Sequence, residues 1–329
     1  MKSVTRFRLS RERLVLLLPL AILPLACDSS ASSGSDSESI TLYTCVSDES
    51  VQPIIEQFEA DSGAEVDLFR APTGDLNARI AGDVRSGGLK ADVVWACDPL
   101  TMQGYVDQDL VGGWTPDNAT DVPEQFRTDD YVGAAVLYVV SIYHNGEPAP
   151  SSWSDLADYD SVALPDPTVA ASALGALGWF DQDPDYGLDF YATLKENGAE
   201  QLSTPDDVVT GVAQGVYQAG ITIANSAYLA KESGSPIGVV WPEPGAVAVY
   251  GPIALATESA DNTVAQDFIS YVVSESGQQV LGEAGSYPTL PGVEGPEIPA
   301  DAPVVYPDWP TITENKDALL SDYQKIFGG

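Results

Sequence analysis

Small polar residues follow the ends of five predicted strands, at points where predicted helices begin. They are Ser47 and Asp48, Thr73 and Gly74, Asp98, Thr168 with Ser172 one turn later, and Asn225. The start of a helix carries free backbone N–H groups and the positive end of the helix dipole. Such donors favour an anionic or oxygen-rich group. Taken singly, each of these turns is equally typical of ordinary helix capping.

Pro53 indicates the position of the first polar turn, that of Ser47 and Asp48. Proline is tolerated in the first turn of a helix, where its missing N–H is unpaired in any case. The helix is therefore predicted to begin between Asp48 and Ser50, directly after a strand over 40–44. Ser47 and Asp48 then lie at the carboxyl end of that strand, which is where open α/β sheets bind their ligands.

Alternating strands and helices must position these turns. Residues 40–44, 64–70 and 91–96 are predicted strands, and a helix is predicted after each. Asp98 is the expected N-cap of the third helix, with Pro99 at its first position. This alternation predicts a parallel sheet that is covered on both faces.

The rest of the chain carries a less regular pattern. Enough β-branched residues for two strands lie within 131–145. Further strands are predicted at 161–167, 220–224, 237–241 and 246–256. Helices are predicted at 151–156 and 169–180, around Val208 and Val212, around Tyr228 and Leu229, around Phe268 to Val272, and at 277–285. The proline-rich segment 291–311 is predicted to be extended.

These elements predict an α/β fold with two Rossmann-like lobes, whose mixed, mainly parallel sheets are joined by two crossover strands. Lobe one comprises residues 40–140 and 250–329, and lobe two comprises 141–249. The five polar turns are then expected to face one cleft between the lobes, which favours a shared binding site over five unrelated caps. Arg70 adds a positive charge beside the cleft, although a surface ion pair explains it equally well.

The chain is strongly acidic. It has 49 acidic and 14 basic residues among 329, for a formal net charge of −35. Such a surface repels nucleic acid and anionic lipid, so neither is an expected partner. The favoured interpretation is solvation in a salty medium, where self-repulsion is screened. Acquisition of cations is the weaker alternative.

The N-terminal residues have the pattern of an export signal. A basic stretch from Lys2 to Arg13 precedes an apolar run over 14–26, which is too short to span a bilayer. Residues 1–26 are therefore a predicted signal peptide. Ala26-Cys27 and the polar tether 27–39 resemble the lipobox of bacterial lipoproteins, which implies lipidation at Cys27 and a membrane-anchored, exported protein. An ordinary secreted protein with a nearby cleavage site is the alternative.

Cys45 and Cys97 each follow the end of a predicted strand, in an export compartment that permits disulfides. The first and third strands of a doubly wound sheet are often neighbours, so the two residues are expected to lie close together. A disulfide there would stiffen the floor of the cleft. Two buried free thiols are the alternative.

Catalytic motifs are missing from the sequence. It contains no G-x-S-x-G elbow, Walker loop, H-E-x-x-H or G-x-G-x-x-G after a strand. With His144 as the single histidine, nucleophilic chemistry has one available imidazole base, and a structural role is expected for it. The sequence therefore predicts a protein that is not an enzyme and has no cofactor.

Several segments together resemble family 1 extracellular solute-binding proteins of ABC importers, in the branch with ferric-iron, 2-aminoethylphosphonate and sugar-phosphate binders. They are YTCVSDESVQPIIEQFEADSGAEVDLFRAPTGDLNARIAGD, ADVVWACDPLTMQGYVDQDLVGGW, ALPDPTVAASAL, GVAQGVYQAGITIANSA, WPEPGAVAVYGPIALA and FISYVVSESGQQVLGEAGSYP. The resemblance covers roughly residues 40–290. It implies a bilobed type II binding protein, expected to be a monomer, that closes on a solute and delivers it to a membrane permease.

The resemblance leaves the ligand open. Ferric members commonly use a His, a carboxylate and two adjacent Tyr, whereas this chain has a lone Tyr228 after Asn225-Ser226-Ala227. The expected ligand is therefore a small solute with phosphate, phosphonate or carboxylate, and no metal, with Tyr250 also lining the cleft. If the ligand is iron, Asp98, Tyr228 and Glu243 are the candidate ligands. A sensor or adhesion lipoprotein is the alternative of another class, and Trp241 is either core or cleft lining.

Overall fold

The structure is a computed structural model of the chain and describes residues 39–328. The predicted signal peptide 1–26, the lipidation site Cys27 and the tether up to residue 38 lie outside the described residues. Within residues 39–328, none of the helices combines the length and the apolarity that crossing a membrane requires.

The described residues form eleven strands and ten α-helices, with a few short 3-10 helices between them. The strands are β1 Ser39–Thr44, β2 Glu65–Arg70, β3 Val93–Trp95, β4 Val132–His144, β5 Val162–Pro165, β6 Glu200–Leu202, β7 Ala219–Ile223, β8 Ile237–Val240, β9 Ala246–Leu255, β10 Tyr287–Pro288 and β11 Val304–Val305. The helices are α1 Asp48–Ser62, α2 Thr73–Arg85, α3 Pro99–Val106, α4 Ala171–Gln182, α5 Gly187–Glu196, α6 Pro205–Ala213, α7 Ala224–Glu232, α8 Thr263–Val272, α9 Glu275–Glu283 and α10 Trp309–Phe327.

The strands form one mixed sheet in the order β2-β1-β3-β9-β4-β7-β5-β6. At one end β1 pairs in parallel with β2 and β3, and at the other end β5 pairs in parallel with β6 and β7. We call these two groups the N-terminal and the distal half-sheet. The central strands β4 and β9 pair antiparallel with each other and with their outer neighbours β7 and β3.

Strands β4 and β9 pass from one half-sheet to the other. Their pairing runs from Val132 opposite Ile253 to Val139 opposite Val247, with a shift in register between Gly133 and Ala135. The prediction of two strands within 131–145 is wrong, because β4 is a single strand of 13 residues. The β-branched run holds no turn residue that would divide it, and the bulge near Gly133 bends the strand without ending it.

Helix α1 begins at Asp48, as the sequence predicted. It buries Val51, Ile54, Ile55 and Phe58 along one face. Gly63 ends the helix in the left-handed conformation, with φ of 75°, and its N–H is donated to the carbonyl of Glu59. Pro53 lies in the second turn of α1 and not in the first turn, where proline is best tolerated. Because proline has no N–H, the carbonyl of Glu49 lacks its hydrogen-bond donor within the helix.

Helices α5 and α10 were not predicted, although both bury aromatic residues. Helix α10 begins inside the segment 291–311 that was predicted to be extended, with Pro310 in its first turn. Its buried residues Ile312, Leu319 and Tyr323 join the core of the distal half-sheet, where Trp153 and Phe180 also lie. The C-terminal helix therefore packs on the distal core, and Trp309 at its start also packs on the core that contains β1 and β3.

Charge on the described surface is mostly unpaired. Two ion pairs link Lys or Arg to carboxylates within residues 39–328: Arg79 with Asp83 at 3.3 Å, and Lys325 with Asp322 at 2.6 Å. Each joins neighbours on one helix and is partly exposed, so solvent screens both pairs and neither contributes much to stability. The net charge of −35 therefore acts mainly as self-repulsion in the folded state.

Salt should stabilise the fold by screening this repulsion. Raising NaCl from about 0.1 M to about 1 M shortens the screening length from about 10 Å to about 3 Å. We expect the Tm, measured by calorimetry, to rise by several degrees over this range and to level off above it. Sucrose is the control that distinguishes charge screening from general stabilisation, because sucrose strengthens apolar burial without screening charge. A Tm that is constant or falls as NaCl is added would contradict this expectation.

Candidate functional site

A cavity of about 760 Å³ lies between the two half-sheets. Its walls come from the segments that follow β1, β2, β3, β5, β6 and β7, and from the segment that follows α9. The polar and charged lining residues are Ser47, Glu49, Ser50, Arg70, Thr73, Ser172, Ser203, Thr204, Asp206, Thr210, Asn225, Ser226, Tyr228, Glu232, Ser233 and Ser286. Four of the five polar turns singled out in the sequence contribute a named residue to the lining, and the turn at Asp98 contributes its neighbour Cys97.

Half of the ten predicted ligand-binding residues line this cavity. They are Ser47, Thr73, Ser172, Asn225 and Tyr228. The five that do not line it are Asp48, Gly74, Asp98, Thr168 and Tyr250. Among these, Gly74 remains close, because a Cβ on it would stand 3.9 Å from the Thr168 carbonyl oxygen and the Val169 Cα across the cavity.

Asp48 is exposed outside the lining, whereas Thr168 and Tyr250 have structural partners. The Thr168 hydroxyl donates to Asp166 Oδ1 at 2.7 Å, beside the start of α4. Tyr250 is 4% exposed and packs edge-on against Phe126 and Trp309, within the core. Sequence periodicity could not reveal the core position of Tyr250, because every residue of β9 is buried and no alternation marks a side that faces the cleft.

Backbone donors without a side-chain cap concentrate at the cavity. Of the ten α-helices in residues 39–328, α1, α2, α4, α5, α7 and α10 begin without a side-chain cap, and four of these six begin at the cavity. The N-cap residues of α2, α4 and α7 are Pro72, Ala170 and Ile223, whose side chains cannot accept a hydrogen bond. Their first-turn N–H groups are therefore free to bind a group in the cavity.

The capped helices lie elsewhere, with one exception. Asp98, Asn262 and Ser274 accept backbone N–H groups at the starts of α3, α8 and α9, none of which begins with a lining residue. Helix α6 is the exception, since Thr204 and Asp207 form a reciprocal capping box at the wall. Sequence reasoning missed this wall because the short strand β6 before it was not predicted.

Arg70 supplies the positive charge of the lining. Its Nε donates to the Val46 carbonyl at 3.1 Å, which holds the guanidinium beside the start of α1. No carboxylate of residues 39–328 lies within ion-pair distance of it. The ion pair that the sequence left open is therefore not formed by the described residues. Three carboxylates, those of Glu49, Asp206 and Glu232, also belong to the lining, and all three are exposed.

An aromatic cluster stands behind one wall. The Tyr228 hydroxyl accepts a hydrogen bond from Trp241 Nε1 at 2.9 Å. Trp241 is 9% exposed and packs on Tyr138 of β4, with ring centroids 5.0 Å apart. Tyr287 packs edge-on against Tyr138 at 4.9 Å. Trp241 is thus a buried support of a lining residue and does not line the cavity itself.

Cys45 and Cys97 are joined by a disulfide whose Cα atoms are 5.9 Å apart. Both residues line the cavity. The parallel pairing of β1 with β3 brings their carboxyl ends side by side, so the bond ties together the segments that lead into α1 and α3.

The three candidate iron ligands are not brought together. Tyr228 lines the cavity, whereas Asp98 is fully buried as the N-cap of α3. Glu243 is exposed outside the lining, where its backbone pairs with Ser151 and Trp153. Among the residues the structure describes, no group of three His, Cys, Asp or Glu is arranged to hold a metal ion.

Asp98 carries an unusual carboxyl group. Oδ1 accepts the Thr101 N–H at 2.7 Å, while Oδ2 is buried without a partner in the described part of the chain. Burial raises the pKa of Asp98, and the hydrogen bond from Thr101 opposes that rise. The folded protein therefore binds a proton at Asp98 more tightly than the unfolded chain does.

A mixed sheet divided by two crossing strands, with a cavity between its halves, defines a two-lobed binding protein of the type II periplasmic class. The chain belongs to the family of bacterial extracellular solute-binding proteins, whose family model matches residues 40–286. It is therefore the solute-binding component of an ABC importer and not an enzyme. Proteins of this family are exported, bind a small molecule and work with a membrane permease.

Individual relatives are more distant. The spermidine/putrescine-binding periplasmic protein of Salmonella typhimurium is 24% identical over 344 residues, covering 94% of this chain and 97% of the relative. The fructose-6-phosphate-bound periplasmic binding protein AfuA of Actinobacillus pleuropneumoniae superposes with a TM-score of 0.79 at 17% identity, covering 88% of this chain and 99% of AfuA. Iron-bound HitA of Pseudomonas aeruginosa gives 0.75 at 20% identity, covering 87% and 99%. These structural similarities establish the fold.

The disulfide gives a prediction about thiols and stability. In a Cys27→Ser chain, which keeps Cys45 and Cys97 as its only cysteines, denatured but unreduced protein should show no reactive thiol, and reduced protein should show two. Replacing both by Ala should lower the free energy of unfolding by about 4 kcal/mol, because the bond closes a loop of 52 residues. Two reactive thiols before reduction would contradict the bond.

The Asp98 carboxyl gives a prediction about pH. Because folding raises the pKa of Asp98, ionisation of this carboxyl destabilises the fold. The free energy of unfolding therefore falls as the pH rises from the ordinary pKa of an aspartate through the raised pKa. Asp98→Asn keeps an N-cap side chain and removes the titration. The free energy of unfolding of the variant minus that of wild type should therefore increase with pH, by at most about 1.4 kcal/mol per pH unit. A difference that stays constant from pH 4 to pH 8 would contradict it.

Proposed function

We propose that the cavity binds one small solute carrying a phosphate, phosphonate or carboxylate group. The observation that carries this proposal is Arg70, a base that lines the cavity without an ion pair to any described carboxylate, in a chain with 49 acidic residues. An unpaired guanidinium in so acidic a chain favours a negatively charged partner from outside. Its planar donors match the oxygens of phosphate and carboxylate.

The uncapped helices support the same ligand chemistry. The starts of α1 and α2 lie on the Arg70 side, and the starts of α4 and α7 lie on the distal side. An oxyanion between them would take the place of the missing caps of Pro72, Ala170 and Ile223. In this proposal Ser47, Thr73, Ser172 and Asn225 add side-chain hydrogen bonds to the same solute. The fructose-6-phosphate bound to AfuA, a protein of similar fold, is a solute of this class.

The cavity is proposed to close by movement of two lobes. The chain crosses between them within β4 and β9, near the predicted boundaries of 140/141 and 249/250. Helix α10 spans both lobes, because it packs on α3 of lobe one and on α4 and α5 of lobe two. The close approach of Gly74 to Thr168 and Val169 is a contact that would form and separate as the lobes close and open.

The proposal also covers where the protein is held and with what it works. Cys27 is lipidated, the tether 27–39 holds the domain at the membrane, and the protein acts as a monomer beside its permease. A sensor or adhesion role without transport is the alternative, and the absence of uptake of the bound solute by cells that carry the permease would favour it.

A cationic polyamine is the second candidate ligand. Glu49, Asp206 and Glu232 belong to the cavity lining, and carboxylates are the natural partners of ammonium groups. The relatives named for binding spermidine and putrescine are consistent with this alternative. Loss of binding in the triple variant Glu49→Gln, Asp206→Asn and Glu232→Gln, with binding retained in an Arg70 variant, would decide in its favour.

A thermal-shift screen tests the anion proposal. Sugar phosphates, phosphonates, dicarboxylates, polyamines and ferric citrate are added to the purified protein. A ligand at 100 times its Kd stabilises the fold by about 2.7 kcal/mol, which is roughly 5 °C or more in Tm. We expect such a shift from an anionic compound, at least tenfold weaker binding in Arg70→Met, and unchanged binding in the control Arg85→Met, which alters a base outside the cavity. An equal affinity in Arg70→Met would contradict the proposal.

The backbone donors are tested by a proline at the first position of α2. Proline is tolerated there, so Thr73→Pro removes one N–H and one hydroxyl while the helix is kept. Binding of the anion found in the screen should weaken by about 1.5–3 kcal/mol. Thr263→Pro makes the same change at the first position of α8, away from the cavity, and should leave binding unchanged. Equal losses in both variants would assign the effect to a general disturbance of the fold.

A further inference from the structure

The hydrogen bond between Trp241 and Tyr228 has a fixed polarity. Indole Nε1–H is a donor only, whereas a phenol hydroxyl has one hydrogen to donate and lone pairs that accept. Across the distance of 2.9 Å Trp241 must therefore donate, and Tyr228 must accept. A lone pair of the phenol is occupied by this bond, and its hydrogen remains free for another acceptor.

Tyr228, which carries this free hydrogen, is one of the residues that line the cavity. Within residues 39–328, the Tyr228 hydroxyl donates to no protein acceptor. The neighbouring hydroxyl of Tyr287 is likewise buried without a partner among these residues, so it does not take the hydrogen. The described residues therefore supply no acceptor for this hydrogen, which leaves it available to a molecule in the cavity.

Trp241 is held firmly enough to enforce this polarity. Its ring lies against Tyr138 of the crossing strand β4 at 5.0 Å, and it meets Tyr287 edge-on at 6.5 Å. It is 9% exposed, at the end of β8, which itself pairs with β4. Rotation of the indole away from Tyr228 would break this packing and leave a buried N–H without a partner, which is costly.

We propose that Trp241 is a positioning residue that fixes Tyr228 as a hydrogen-bond donor, so that the bound solute must present an acceptor at that point. This inference rests on the proposed function, which places an oxyanion in the cavity. It adds a specificity rule: an oxygen with a free lone pair can accept the Tyr228 hydrogen, whereas an ammonium group has no lone pair and cannot accept it.

Phenylalanine substitutions test the rule with methylphosphonate and succinate as probes, titrated by NMR against the full-length protein. Tyr228→Phe should weaken binding of these probes by about tenfold, because it removes one donor to a charged group. Trp241→Phe keeps an aromatic ring but removes the indole N–H, and it should weaken binding of the probes comparably. The double variant should be no weaker than either single variant, because both act through one hydrogen bond. Trp114→Phe is the matched control, because Trp114 lies outside the cavity lining, and this variant should bind the probes like wild type.

The indole resonance of Trp241 provides a second readout that packing alone would not move. Its ¹H–¹⁵N signal should shift upfield in Tyr228→Phe, which has no acceptor, and should shift in wild type when a probe is added. Additive losses in the double variant, or unchanged binding in Trp241→Phe, would overturn the inference. Binding that is lost in Arg70→Met but retained in both phenylalanine variants would overturn it and leave the proposed function standing. If neither probe binds wild type, this inference is overturned, and the thermal-shift screen decides the anion proposal separately.

Discussion

The antiparallel pairing of β4 with β9 is the constraint on which the cavity depends. Strand β9 pairs with β3 of the N-terminal half-sheet and β4 pairs with β7 of the distal half-sheet, so their pairing with each other joins the two groups in one continuous sheet. The carboxyl ends of β1, β2 and β3 then face those of β5, β6 and β7 across a gap. A helix follows each of these six strands, and five of the six helices, all but α3, begin at the gap. The disulfide between Cys45 and Cys97 fixes two of these ends together.

The distribution of helix caps gives this gap its chemistry. Side-chain caps are present at α3, α8 and α9, which serve the fold, and absent at four helices that begin at the cavity. Leaving out a cap costs about 1 kcal/mol. In the proposed function a bound oxyanion supplies the missing partners, and Arg70 supplies the countercharge. The binding energy of the solute thus compensates for stability that the empty protein lacks.

Local signals made the N-terminal elements predictable from sequence. Asp98 before Pro99 and Gly63 after an apolar helical face specify helix ends through nearest neighbours alone. Helix α10 and the continuous β4 depend on distant partners: Ile312 and Tyr323 acquire their role from the distal core, and β4 is held along its length by β9. The candidate site divides in the same way. Polar turns indicated Ser47, Thr73, Ser172 and Asn225, whereas Thr168 and Tyr250 show that a residue beside a cleft can still face a local carboxylate or the core.

The central claim is that an anionic group binds where Arg70 meets the uncapped helix starts. A crystal structure with the compound that most raises the Tm would test it directly. We expect an oxyanion within hydrogen-bond distance of the Arg70 guanidinium and of backbone N–H groups at the starts of α2 and α4, with one of its oxygens at Tyr228. A cation held by Glu49, Asp206 and Glu232, or a compound bound outside the cavity, would contradict the claim.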